Sequence, residues 1–139
     1  MYIGLVALVS CHPVTMPSVA PLRAPDGQEI KIESSPYERR ASTVWHEGHF
    51  TIYYNSAWFT YRVHPDAQNF VLYHELGHIQ LGHLGKDVYL SKEQKRLSEQ
   101  EADCYAGKKL QEIHYNSEQI KNVYEFMETE IRDENRLDN

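Results

Sequence analysis

The feature that most constrains this chain is the segment 70–78, which reads Phe-Val-Leu-Tyr-His-Glu-Leu-Gly-His and contains the pattern H-E-x-x-H. Because residues four apart lie on one face of a helix, His74 and His78 can direct their imidazoles at one metal ion. Glu75 lies at the edge of that face, where it can take a proton from a water molecule that the metal activates. The apolar residues around the motif predict a buried helix that holds both ligands rigidly. The alternative for the motif alone is a surface helix with two solvated histidines.

A second acidic cluster, at residues 99–103, supplies candidates for a third ligand. A catalytic zinc site takes three protein ligands and leaves one position for water. Glu99 and Asp103 are four apart and share a helix face, whereas Glu101 lies about 200° around the helix from Glu99 and is expected to pair with Ser98 in a capping box. We therefore assign the third ligand of a single Zn²⁺ ion to Glu99. Asp103 is expected to accept the outer N–H of His74, which fixes the tautomer of that ligand. The alternative for the acidic cluster is a solvated helix face.

His83 is the nearest further histidine, but its spacing does not fit a ligand. The metzincin pattern H-E-x-x-H-x-x-G-x-x-H requires glycine at 81 and histidine at 84, and the chain has Leu81 and Leu84. That class is excluded. His83 is predicted to be a helix-end residue near the C-terminal end of the helix dipole.

Length and composition indicate one folded domain and argue against several other classes. The chain has 139 residues, an aromatic share of 12% and a net charge of −6, with no basic stripe that would follow a nucleic-acid backbone. Its two cysteines, Cys11 and Cys104, lack the C-x-x-C spacing of a thiolate zinc site, and a disulfide between them remains open. No apolar stretch reaches the roughly 18 residues of a membrane-spanning helix.

The first 25 residues have a composition of their own. Residues 1–11 are apolar and end in Leu-Val-Ser-Cys, which resembles the lipobox that precedes a lipidated cysteine, and four prolines follow between positions 13 and 25. We predict a lipoprotein-type signal and a proline-rich tether at residues 1–25, with a membrane anchor at Cys11 and the folded domain at residues 26–139. This organisation favours the cell envelope over the cytoplasm. The start lacks Lys and Arg, so the alternatives are a buried N-terminal strand and a surface loop.

The pattern of apolar residues predicts an α+β fold, in which a small and mostly antiparallel sheet packs on an active-site helix, a glutamate-bearing helix and a C-terminal helix. Glu47-Gly48 marks the turn of a β-hairpin, and capping-box patterns begin at Ser91 and at Ser98. The predicted elements are a strand at 29–33, a hairpin from 42–45 and 50–54, a strand or loop at 57–63, and helices at 65–81, from Ser91 or Ser98 to about 114, and from 117 onward.

Two motifs together resemble the gluzincin zinc metallopeptidases. E-x-x-A-D at 99–103 is similar to the M48 family, and I-x-x-N-S at 52–56, with Phe70 ahead of H-E-L-G-H-x-x-L-G-H, is similar to the ImmA/IrrE family. The resemblance covers about residues 50–113. It implies a zincin-like fold with zinc on His74, His78 and Glu99 and with Glu75 as the base. It also implies an edge strand above the cleft, expected at 50–55, to which a substrate peptide adds.

These observations predict a zinc-dependent endopeptidase that acts on a peptide or protein substrate. The alternative is a zinc-holding regulatory or protein-binding domain of the same fold that does not cleave peptides, and a further one is an interaction domain without metal. The tetrahedral oxyanion of the reaction needs a donor besides zinc. The candidates for that donor are Tyr61, His64, His114 and Tyr115.

Overall fold

The computed structural model describes residues 22–138 and has the predicted α+β class. Its elements in chain order are β1 (Lys31–Ser34), β2 (Ala41–His46), β3 (His49–Tyr54), α1 (Ser56–Tyr61), α2 (Pro65–Gln80), α3 (Lys92–Glu112) and α4 (Ser117–Asp138). Cys11 and most of the predicted signal and tether lie outside the described residues. Among the helices of residues 22–138, none is long and apolar enough to cross a membrane.

The sheet is mixed and has the strand order β1-β3-β2. β2 and β3 form the predicted antiparallel hairpin, and β1 pairs with β3 in parallel. The two turn residues, Glu47 and Gly48, have φ angles of 50° and 83°, as a two-residue hairpin turn with matching twist requires. The prediction that the strand at 50–55 forms an edge was wrong, because β1 covers its second side. The edge strand on the side of the predicted site is β2.

The segment 57–63, predicted as a strand or a loop, contains helix α1 instead. The side chain of Asn55 accepts a hydrogen bond from the backbone N–H of Trp58 at 2.9 Å and so caps the helix. Trp58 and Phe59 pack against the main hydrophobic cluster. Trp58 and Phe59 therefore form the packing face of a short, capped helix instead of part of a strand.

Helix α2 is the central element, because it contributes to both hydrophobic clusters. Phe70 and Val71 belong to one cluster, and Leu76 and Ile79 belong to the other. Pro65 occupies the first turn of the helix, where its missing N–H costs no hydrogen bond. The H-E-x-x-H motif is consequently buried, and a surface helix with solvated histidines is excluded.

Helix α3 begins at the first of the two predicted capping boxes. The Ser91 hydroxyl accepts from the Gln94 N–H, and the Gln94 side chain accepts from the Ser91 N–H. The predicted box of Ser98 and Glu101 was wrong, since Ser98 lies inside α3 and its hydroxyl donates to the Lys95 carbonyl at 2.7 Å. The box was one of two reasons for assigning the third ligand to Glu99 rather than Glu101. The other reason, the helix face that Glu99 shares with Asp103, does not depend on it.

Helices α2 and α3 approach each other closely at Gly77, between the two histidines of the motif. A Cβ atom at this position would lie 3.1 Å from the Cβ of Tyr105 on α3. Tyr105 is almost completely buried, and the atoms concerned are the base of its side chain rather than a flexible end. The absence of a side chain at Gly77 thus sets the separation of the two helices.

Candidate active site

Three side chains from α2 and α3 converge on one point. The Nε2 atoms of His74 and His78 are 3.2 Å apart. Glu99 places one carboxylate oxygen 2.9 Å from Nε2 of His74 and the other 3.4 Å from Nε2 of His78. Within the described residues this is the group of histidine and acidic side chains whose ligand atoms cluster closely enough to hold a metal ion.

The spacing of these atoms fits one small cation. Zn²⁺ bonds imidazole nitrogen and carboxylate oxygen at about 2.0–2.2 Å, so tetrahedral ligand atoms lie roughly 3.3–3.6 Å from each other. The observed separations of 2.9–3.4 Å approach that value. Two imidazoles and one carboxylate are also a donor set of catalytic zinc sites, and they leave a fourth position open.

Asp103 holds His74 from the opposite side of the ring. Its carboxylate is completely buried, and its Oδ1 lies 2.7 Å from Nδ1 of His74. Nδ1 therefore donates a proton to Asp103 and Nε2 faces the cluster, as the shared helix face of Glu99 and Asp103 predicts. Although burial disfavours a charged imidazole, the hydrogen bonds to Asp103 and then Glu99 raise the pKa of His74 to about 10.

The charged imidazole in turn affects Glu99. Burial alone would raise the pKa of the Glu99 carboxyl, but the hydrogen bond from His74 and the neighbouring imidazole of His78 lower that pKa far below its ordinary value. Glu99 is consequently a carboxylate throughout the neutral range. In the protein without metal, a proton on His74 thus supplies the positive charge at the cluster.

Glu75 is held by a residue that sequence reasoning missed. The hydroxyl of Thr43 on β2 donates to Oε2 of Glu75 at 2.8 Å. Glu75 is 3% exposed and belongs to the wall of the cavity described below. Thr43 pairs with Ile52 of β3, which is buried, so Thr43 is a polar residue on the inner face of the sheet. That position in the alternating strand was the available signal.

His83 lies outside the converging group of side chains, and it is more than the helix-end residue that was predicted. Its Nδ1 lies 3.0 Å from Nδ1 of His78, on the side of that ring turned away from the cluster. Glu101 is mostly exposed, with one oxygen 3.6 Å from Nε2 of His83. Burial and then the neighbouring His78 lower the pKa of His83.

A cavity of about 340 Å³ opens beside the cluster. Its polar wall contains Glu75, His78, Glu99 and Lys95, and one side is formed by β2 residues 41–43. Leu84, Val88 and Leu90, from the segment between α2 and α3, form an apolar wall. The cavity therefore combines the candidate base and ligands with an edge strand.

The four residues considered as oxyanion donors are not among the residues that line this cavity. His64 caps the start of α2, and the Tyr115 hydroxyl donates to the carbonyl of Asp66 at 2.7 Å. With a rise of about 1.5 Å per residue, that end of α2 is roughly 15 Å from His74. Tyr61 is exposed. None of the four side chains therefore faces this cavity as an oxyanion donor would.

Cys104 follows Asp103 on α3 and does not contribute to the cluster of ligand atoms. It is half-buried. Cys11, and with it the predicted lipid anchor, lies outside the described residues.

Comparison with known proteins defines the class of the protein. A sequence profile of the Peptidase U49 family matches residues 36–130, which include β2, β3, α2, α3 and all the residues of the cluster. The match spans more than half of the chain, so this protein belongs to the Peptidase U49 family and is assigned to the peptidases. No curated protein and no solved structure matches the chain.

Proposed function

We propose that the protein is a zinc-dependent endopeptidase, with one Zn²⁺ held by His74, His78 and Glu99 and with Glu75 as the general base. The observation that carries the proposal is the convergence of the three proposed ligand atoms at 2.9–3.4 Å beside a cavity whose wall includes Glu75, His78 and Glu99. Membership of a peptidase family supports the same reaction.

The substrate peptide is proposed to bind along β2. This strand is at the edge of the described sheet, and its residues 41–43 form one side of the cavity. An extended peptide can add to such an edge through main-chain hydrogen bonds, which do not depend on the substrate sequence. β2 thus replaces the strand at 50–55 in the binding role expected from the sequence.

His74, His78 and Glu99 would hold the zinc ion, which would supply Lewis-acid chemistry by lowering the pKa of water to about 7 and polarising a carbonyl group. Glu75 accepts the proton of the attacking water and then passes it to the leaving amine. Thr43 orients the Glu75 carboxylate by donating to one of its oxygens. Asp103 fixes the tautomer of His74 and keeps its Nε2 directed at the cluster.

The competing function is a zinc-holding regulatory or protein-binding domain that does not cleave peptides. Structural zinc sites are closed by four protein ligands and need no base. The buried Glu75, hydrogen-bonded by Thr43 inside the same cavity, favours hydrolysis. Zinc content of the purified protein, combined with digestion of a broad peptide library with and without a chelator, separates the two. Stoichiometric zinc without any cleavage would support the regulatory domain, and absence of zinc would reject both.

Replacing Thr43 with valine is expected to lower kcat about tenfold and leave KM within about twofold. Valine has nearly the same shape but cannot donate to Glu75, and a hydrogen bond to a charged group is worth about 1.5–3 kcal/mol. Thr43→Ser keeps the hydroxyl and should retain most of the activity. Steady-state kinetics on one peptide substrate measure both variants. Equal losses in the two variants would assign Thr43 a packing role only.

The protein without metal is expected to lose stability as the pH rises above neutrality. The pKa of His74 is raised to about 10 in the folded state, above an unfolded value of about 6.5. Its contribution is therefore fully present below about pH 6.5 and is lost as the pH rises towards about pH 10. Urea denaturation of chelator-treated protein measures this trend, and His74→Gln is the control that should flatten it. A parent protein whose stability stays level over this interval would contradict the arrangement.

A further inference from the structure

The outer nitrogen of His78 has a partner of an unexpected kind. Ligand histidines commonly donate their second N–H to a carboxylate or a carbonyl, which fixes the tautomer. His74 follows this rule through Asp103, whereas Nδ1 of His78 faces Nδ1 of His83 at 3.0 Å. The two rings meet at 65° with centroids 5.2 Å apart, so the contact is directed through nitrogen rather than through stacked faces.

The backbone at the end of α2 brings His83 to this position. Gly82 has a φ of 74°, and its N–H donates to the carbonyl of Ile79 at 3.2 Å. The N–H of His83 donates to the carbonyl of His78 at 3.0 Å. These two bonds form a Schellman motif, which reverses the chain over the last helical turn. The motif thus anchors the backbone of His83 on the same residue that its ring contacts.

A single proton between the two facing nitrogens determines both tautomers. If His83 were the donor, neutral His78 would carry its proton on Nε2, which points at Nε2 of His74 and at Glu99. A metal ligand needs that Nε2 unprotonated. We propose that His83 is a positioning residue that accepts the Nδ1–H of His78 and so keeps Nε2 of His78 free to bind the metal. This inference rests on the proposed zinc site.

The second nitrogen of His83 agrees with this assignment. Because Nδ1 of His83 accepts this hydrogen bond, the proton of the His83 ring resides on Nε2, which is buried and makes no hydrogen bond in the described part of the chain. A carboxylate oxygen of Glu101 lies 3.6 Å from this Nε2 atom. A negative charge there favours an N–H over a lone pair. Because Glu101 is mostly exposed and beyond hydrogen-bond distance, its contribution is small.

The test compares His83→Leu with His83→Gln. Glutamine has an amide oxygen that can accept the same N–H, and leucine has none. Competition with a chromophoric chelator measures the zinc Kd of each protein. Loss of an outer partner typically weakens metal binding 10–100-fold, so we expect such a loss in His83→Leu and a substantial recovery in His83→Gln. His46→Leu, which removes an exposed histidine at the hairpin turn, should bind zinc like the parent.

Two results would overturn the inference. One is parent-like zinc affinity in His83→Leu, and the other is an equal loss in both His83 variants accompanied by lower stability of the metal-free proteins, as a packing role would give. A parent that binds no zinc would instead reject the proposed function, and this inference with it. Ring ¹⁵N NMR of the zinc-loaded parent provides a second measurement that needs no variant. His78 should be protonated at Nδ1 and His83 at Nε2, and the opposite pair of tautomers would contradict the assignment.

Discussion

The Glu75→Gln protein is expected to bind zinc like the parent and to lose about 10²–10⁴-fold in peptide cleavage, the usual contribution of a general base. Glutamine has the shape of glutamate, and its amide oxygen can still accept the hydrogen bond of Thr43, so the cavity should keep its form. The amide cannot accept the proton of the attacking water. Zinc stoichiometry and kcat on the best peptide of the library measure the two properties independently.

A matched control for this change is Glu47→Gln at the hairpin turn, where the side chain is exposed. It removes one negative charge from the protein without touching the cavity and should cleave like the parent. If Glu75→Gln cleaved as fast as this control, the assignment of the base would be wrong. If both lost activity equally, net charge rather than a base would be responsible.

The second large effect is expected from Glu99→Ala, which should bind zinc more than about 100-fold more weakly than the parent. Loss of a residue that only hydrogen-bonds a metal ligand typically weakens metal binding 10–100-fold. Glu99 is proposed to contact the ion directly, so its loss should weaken binding more. Glu99 also contacts both histidines, so its removal deprives the cluster of its anionic member. Isothermal titration with zinc measures the affinity, and the same variant should show no cleavage.

Glu101→Ala is the control for Glu99→Ala, since it removes the same group two residues further along α3. Its carboxylate is mostly exposed and faces His83 rather than the cluster. Zinc affinity within a few-fold of the parent is expected. The reverse order of the two variants would transfer the third ligand to Glu101 and would refute the site geometry.

The parts of the site that lie on helices could be predicted from the sequence, because helical spacing translates directly into shared faces. The pair His74 and His78, and the pair Glu99 and Asp103, required only the periodicity of α2 and α3. The contact of Asp103 with His74 followed from chemistry, since a ligand histidine needs an outer acceptor. The capping-box pattern limited the start of α3 to Ser91 or Ser98, and the structure selects Ser91.

The parts that depend on contacts distant in sequence were missed. Thr43 reaches Glu75 from a strand 32 residues earlier. Alternation along β2 places Thr43 on one face of the sheet, but it does not show that this face packs on α2. The position of β3 depends on β1, which joins it in parallel, and strand order has no local signature. Helical spacing predicted that His83 would point away from His78. The left-handed backbone of Gly82 instead ends the helix and turns the His83 ring towards His78.

The close approach of Gly77 to Tyr105 has a consequence for which metal ion the proposed site would bind. His74 and His78 are on α2 and Glu99 is on α3. The spacing of the two helix axes therefore sets the distances between the proposed ligand atoms. Proteins discriminate among divalent ions of similar affinity through the geometry that they impose. A Cβ atom at position 77 would lie 3.1 Å from Tyr105, so a side chain there would require Tyr105 or the helices to shift by a few tenths of an ångström. If His74, His78 and Glu99 hold the proposed ion, the radius that they accept would therefore be set in part at the helix interface, by Gly77, which is not itself a proposed ligand.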